Sequence, residues 1–123
     1  MKDDRAVVRL DDKFTKFSDQ WSPKIIAQIN DLHIKVAKVQ GEFVWHKHDD
    51  TDELFIVHKG KLTIRYRDRE VTLSPGELHV VPKGVEHITV ANEECEILMI
   101  EPAGTVNTGD VREDKTALLE PWI

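Results

Sequence analysis

Cysteine is nearly missing from this chain: Cys95 is the only one in 123 residues. A lone thiol closes no internal disulfide, so packing and hydrogen bonds must hold the fold, and this usage fits a cytoplasmic compartment. Glu93, Glu94 and Glu96 crowd Cys95 and oppose a thiolate, which reads as a structural residue and not a nucleophile. No stretch approaches the ~20 apolar residues of a membrane helix. Met1 to Arg5 opens with acids and has no apolar run behind it, unlike a secretory leader. Clustered Lys and Arg are missing as well, and the formal net charge is -6, so no nucleic-acid groove is expected. The acidic balance reads as ordinary solubility. Internal repeats, low-complexity linkers and long helical periods are absent too.

What is present is a succession of short extended runs. The length suits one domain, residues 1–123, able to bury a core without staples. Phe14 and Phe17 suggest a short helical turn anchored on the body. From Pro23 onward the pattern turns β-like. Ile25, Ala27 and Ile29 alternate. Leu32, Ile34 and Val36 fall on one side of the next run, with His33, Lys35 and Lys38 largely on the other. Gly41 interrupts, and residues 43–48 continue extended. Glu53 to Val57 is a strong strand, followed by a turn at Lys59-Gly60-Lys61. Further runs cover 62–67, 70–73, 78–81, 87–91 and 96–100, punctuated by Ser74-Pro75-Gly76 and Pro82-Lys83-Gly84. Many short strands with regular turns predict an all-β sandwich or barrel. In the polar tail, Leu118, Leu119, Trp122 and Ile123 are expected to pack back on it.

Chemistry concentrates between Gly41 and Gly60. His46 and His48 are two apart, so on a strand both imidazoles project from one face. Glu53 opens the following strand after a short loop, and His87 opens a later one just past a tight turn. Three imidazoles and a carboxylate suit one divalent transition-metal ion: iron, manganese, cobalt, nickel, copper or zinc. Calcium and magnesium prefer all-oxygen shells. An octahedral ion held this way keeps two free positions, whereas a tetrahedral zinc is closed. Because histidine binds metal when neutral, affinity should fall as pH drops through about 6.5.

These residues resemble the two motifs of the cupin superfamily. Gly41, His46, His48, Glu53 and Gly60 follow the first, with four residues between Gly41 and His46 where the usual pattern has five. Gly76, Pro82, Gly84 and His87 follow the second; Asn92 comes one residue late and is not assigned the motif's role. The likeness covers about residues 32–101. It implies a double-stranded β-helix, or jelly-roll, with His46, His48, Glu53 and His87 as the metal ligands. It also implies a homodimer, for which unpaired edge strands give a physical reason.

Parity with Glu53 points Phe55 and Val57 into the barrel, and Tyr66, His79 and Met99 are further candidates for the pocket wall. His33 and His58 read as solvated side chains. Trp45 alternates with His46 and so faces away, toward core packing or a dimer contact. The implied function is a metal-dependent enzyme acting on a small oxygen-rich molecule, by dioxygenation or by Lewis-acid isomerisation or tautomerisation. The alternative is a non-catalytic module in which the metal orients a bound small molecule. A structural zinc tying strands together is a third reading. A fold hosts many functions, and no residue in the sequence chooses among these.

Overall fold

The strands form where β-branched and aromatic residues recur between glycine and proline turns, and one strand organises the rest. The computed structural model describes residues 5–117 and 119–123. A short helix α1 (Leu10–Phe14) precedes seven strands: β1 (Lys24–Ile29), β2 (Leu32–Glu42), β3 (Glu53–Lys59), β4 (Leu62–Tyr66), β5 (Glu70–Leu73), β6 (Leu78–Val81) and β7 (His87–Pro102). The two expected runs 87–91 and 96–100 are one continuous strand. The first part of β7 pairs with β4, and its later part lies between β2 and β3. All strand pairings are antiparallel, in the order β1-β2-β7-β3-β6 with β5 paired to β4. By pairing with β4 as well as with β2 and β3, β7 ties all seven strands together and closes the jelly-roll.

The interior is filled by Val39, Phe55, Val57, Leu62, Ile64, Ile97 and Met99, among others. A second apolar layer lies outside the sheet, where Phe14 of α1 packs with Ile26, Val36 and Leu98. This layer decides which side of β2 faces inward. Ile34 and Val36 point to α1, so the opposite side, carrying Lys35, Ala37 and Val39, is the barrel interior. Lys35 is therefore fully buried. In β1 the expected alternation fails: Ile25 and Ile26 are both buried and Ile29 is exposed. A register shift between Ile25 and Ala27 is the cause.

Gly41 does not end β2. It sits at a bulge with φ +84, a left-handed value that favours glycine, and the strand runs on to Glu42. The tail returns along β1: the Ile25 amide donates to Pro121 O (2.8 Å) and the Ile123 amide to Ile25 O (3.0 Å). Ile123 joins the outer apolar layer, whereas Leu119 is 90% exposed because the chain turns it outward before that contact. Leu118 lies outside the described residues. Among the described residues no helix is long and apolar enough to cross a membrane.

Candidate metal centre

His46 and His48 lie in a segment, 43–52, that forms no named strand. Its hydrogen bonds go to separate partners instead of one ladder. The Phe43 amide donates to Thr89 O (2.9 Å), His46 and His87 exchange backbone bonds of 3.0 and 2.9 Å, and the Gly84 amide donates to His48 O (2.8 Å). The two imidazoles nevertheless project inward together, with ring centroids 5.1 Å apart. Glu53 starts β3 and His87 starts β7, so both strand beginnings meet the segment at one end of the barrel.

The four side chains are all buried, and one ligand atom from each lies within 4.8 Å of the other three. His46 Nδ1 lies 2.9 Å from Val44 O, and His87 Nδ1 lies 3.0 Å from Val85 O. Each ring therefore donates from Nδ1 to the carbonyl two residues back, which leaves Nε2 deprotonated and aimed inward. His48 Nε2, His87 Nε2 and Glu53 Oε1 are buried without a hydrogen-bond partner. The carboxylate oxygen stands 3.3 Å from His48 Nε2 and 3.4 Å from His87 Nε2. Buried lone pairs left unpaired are costly, and a shared cation would satisfy all of them at once. Nitrogen and oxygen donors of this kind fit a transition metal.

Electrostatics at the cluster follow burial and mutual contact. Burial, with the neighbouring His87 next in weight, lowers His46 to about 4, so this ring is neutral and free to ligate at ordinary pH. Burial alone would raise Glu53, but the His48 and His87 rings set against it outweigh burial and hold the carboxyl well below its usual range.

A buried polar group that the sequence reading missed lies behind Glu53. The Glu101 carboxyl touches Glu53 and is pushed well above the carboxylate range, by burial first and by the Glu53 charge next. Lys35 Nζ donates to Glu101 Oε1 (2.9 Å) and pairs with Glu120 Oε1 (2.5 Å). Burial alone would lower Lys35, but Glu101 and Glu120 outweigh it and raise the ammonium. The signal was hidden because alternation along β2 does not tell which face is inward when both faces bury apolar residues.

Next to the cluster is a narrow cavity with about 30 Å³ open to water, room for a water or two. Phe55 and Met99 line it, and they are register partners on β3 and β7. Val57 belongs to the packed interior beyond this cavity wall, one turn of the pleat further along β3. Tyr66 and His79 share the inward parity, Tyr66 opposite His87 and His79 opposite Phe55. They line a different opening, however, beside Arg69, Pro82 and Val85, because the Tyr66 hydroxyl is tied to His79 Nε2 at 2.7 Å.

Trp21 and Phe43, stacked at 4.7 Å, complete the cavity wall and had no motif to announce them. Trp21 holds a left-handed φ of 59, stabilised by bonds from its amide to Lys38 O (2.9 Å) and from Nε1 to Gln40 O (3.0 Å).

Residues 33–101 match the family model described as a cupin domain, more than half of the chain. The chain belongs to the cupin family. This cupin is 55% identical to a cupin-2 domain protein from Shewanella frigidimarina of known crystal structure, with a TM-score of 0.77 over 78% of this chain and 94% of that one. It is 36% identical over 87 residues to the uncharacterised protein YdbB of Bacillus subtilis, covering 62% of this cupin and 77% of YdbB. It is 27% identical over 111 residues to SSO1533 of Saccharolobus solfataricus, a protein named as a candidate dioxygenase. That match covers 88% of this cupin but only 29% of SSO1533.

Two other histidines differ from expectation. His58 is not solvated: it stacks on Phe14 at 5.0 Å and lies between Glu96 (2.9 Å) and Asp11 (3.2 Å), which pins α1 to the sheet. His33 packs edge-on against Trp122. Trp45 faces away from the cluster and carries the Arg67 guanidinium 3.7 Å above its ring. Burial, with Glu96 next in weight, raises the Cys95 thiol to about 12, in keeping with a structural role.

Proposed function

We propose that this cupin binds one divalent transition-metal ion through His46, His48, Glu53 and His87, and acts there on a small oxygen-bearing molecule. The observation that carries this reading is the convergence of three unpartnered, buried ligand atoms, His48 Nε2, His87 Nε2 and Glu53 Oε1. The ion supplies Lewis acidity and, when redox-active, one-electron chemistry. Iron, manganese, nickel, cobalt, copper and zinc all suit the donor set.

The protein's part is to position, to shield and to select. Val44 O and Val85 O fix the tautomers of His46 and His87. Phe55, Met99, Phe43 and Trp21 keep bulk water from the cluster. Among the described residues no Lys or Arg lines the cavity, which disfavours a phosphate or a second carboxylate. The Asn107 amide is committed to Lys115 O and to the Ala117 amide, which leaves Thr89 as the neutral polar side chain on the wall. The substrate class favoured is a small molecule with one or two oxygen donors on an otherwise apolar body. Admitting more than a water or two requires the half-buried Trp21–Phe43 pair to turn aside.

Dioxygenation leads over isomerisation or tautomerisation because the 27%-identical SSO1533 is named as a candidate dioxygenase. The test is oxygen consumption by iron-loaded protein given small phenols, enediols and diketones, with product analysis. Oxygen uptake with both atoms in the product supports dioxygenation. An isomeric product without uptake supports the Lewis-acid route, and tight binding without turnover supports the binding module. Pairing into a homodimer belongs to the same reading, since β6 is a sheet edge with Leu78 and Val80 exposed; light scattering tests it. The single buried thiol favours a cytoplasmic setting.

A further inference from the structure

The segment that carries His46 and His48 has two edges. One is bonded to His87 and Gly84, on the barrel side. The other is held by a loop near the C-terminus. The Lys47 amide, midway between the two histidines, donates to Asp110 Oδ1 at 3.0 Å, and the Asp110 amide donates to Lys47 O at 3.1 Å. Gly109 lies so close that an added Cβ would meet Lys47 O at 2.1 Å and His46 Cδ2 at 3.1 Å, and its φ of +58 is left-handed. Only glycine allows that approach. The Lys47 ammonium pairs with Asp49 (2.9 Å), so what Asp110 holds is the Lys47 backbone.

The loop is itself built to stay in place. Thr108 is fully buried and bonds Thr116 (2.7 Å) and Val111 O. Asn107 is tied to Lys115 O and the Ala117 amide, both at 2.8 Å, and lines the cavity. Rotating or shifting the Lys47 peptide would swing both neighbouring imidazoles. Fixing it from both sides therefore sets where two of the four ligand side chains point.

We propose that loop 105–117 is a clamp on the metal centre, with Gly109 and Asp110 as positioning residues for His46 and His48. Loop docking and metal binding are then one coupled equilibrium: each tightens the other. This rests on the metal-binding reading of the cluster and on nothing about the reaction.

The experiment is a cobalt(II) titration of the full chain, followed by visible absorption, for wild type, Asp110→Ala, Asp110→Asn and Gly109→Ala. Apo-protein melting is recorded beside it. Asp110→Ala is expected to weaken cobalt binding by about tenfold to a hundredfold, the usual effect of losing a ligand's supporting group. Its absorption bands should shift as the ligand geometry loosens. Asp110→Asn keeps an oxygen acceptor for the Lys47 amide and should stay near wild type. Gly109→Ala should behave like Asp110→Ala. Zinc should also slow tryptic cutting after Arg112 in wild type but not in His48→Ala. Cobalt affinity in Asp110→Ala within about twofold of wild type would overturn the clamp. So would equal losses in the Asn and Ala variants, or zinc giving no protection from trypsin. Wild type failing to bind cobalt at all would overturn the metal reading itself, a distinguishable result.

Discussion

At the scale of single residues, the cluster makes demands that can be measured without a substrate. His46 is lowered to about 4 by burial and by His87 beside it, against an ordinary value of 6.5. The unfolded chain thus takes up a proton below pH 6.5 that the folded apo-protein refuses until about 4. Stability must fall as pH drops through that window, by roughly 3 kcal/mol at ~1.4 kcal/mol per unit. Glu53 acts in the same direction, since its depressed carboxyl stabilises above the usual carboxylate range and is lost in acid. Chemical unfolding of apo-protein at a series of pH values checks this, and His46→Gln should flatten the slope between pH 6.5 and 4. An unchanged slope in that variant would show that another group sets it. A second expectation concerns the ligands together. Ala at His46, His48 or His87 should abolish tight zinc binding by calorimetry, whereas His33→Ala, placed against Trp122, should leave it intact. Equal losses in all four would mean the site is elsewhere.

At the scale of elements, β2 shows where sequence patterning reaches its limit. Its alternation was legible, but which side faced inward was not, because both sides bury apolar residues. Ile34 and Val36 lie under α1, and Ala37 and Val39 lie in the barrel. A two-sided sheet removes the polar cue that normally marks the outer face. Alternation alone consequently could not place Lys35, which is buried between Glu101 and Glu120. Replacing it by Met leaves two buried carboxyls without their cation and should cost about 3–5 kcal/mol in urea unfolding. Phe14→Ala, at the centre of the outer layer, should cost a similar ~3–5 kcal/mol by lost burial and cavity formation. Little loss at Phe14 would mean that α1 adds nothing to the folded core. Segment 43–52 gives the complementary case. Its extended trace was legible from His46 and His48, but its support from His87, Gly84 and Asp110 spans distant parts of the chain that no local pattern connects.

At the scale of the whole molecule, turn residues and strand length were enough to indicate an all-β sandwich or barrel, because Gly60, Pro75-Gly76 and Pro82 each end a run where the chain does turn; the jelly-roll itself was implied only by the motif resemblance. The joining of two expected runs into β7 was not legible. Asn92, Glu93 and Glu94 are exposed and polar, as a loop would be, yet they lie inside one long strand whose first part pairs with β4 and whose later part lies between β2 and β3. The four candidate ligands gather at one end of that barrel, although His46 and His87 are far apart in the chain. Trp21 and Asn107 reach the cavity from segments outside the matched family region, so part of the cavity wall is not tied to the family's motifs. The central claim, a metal held by His46, His48, Glu53 and His87, is tested most directly by elemental analysis of tag-free protein, wild type beside His87→Ala. The account predicts about one transition-metal ion per wild-type chain and its loss from the variant. Wild-type protein without metal even after reconstitution, or a variant that keeps its full complement, would contradict it.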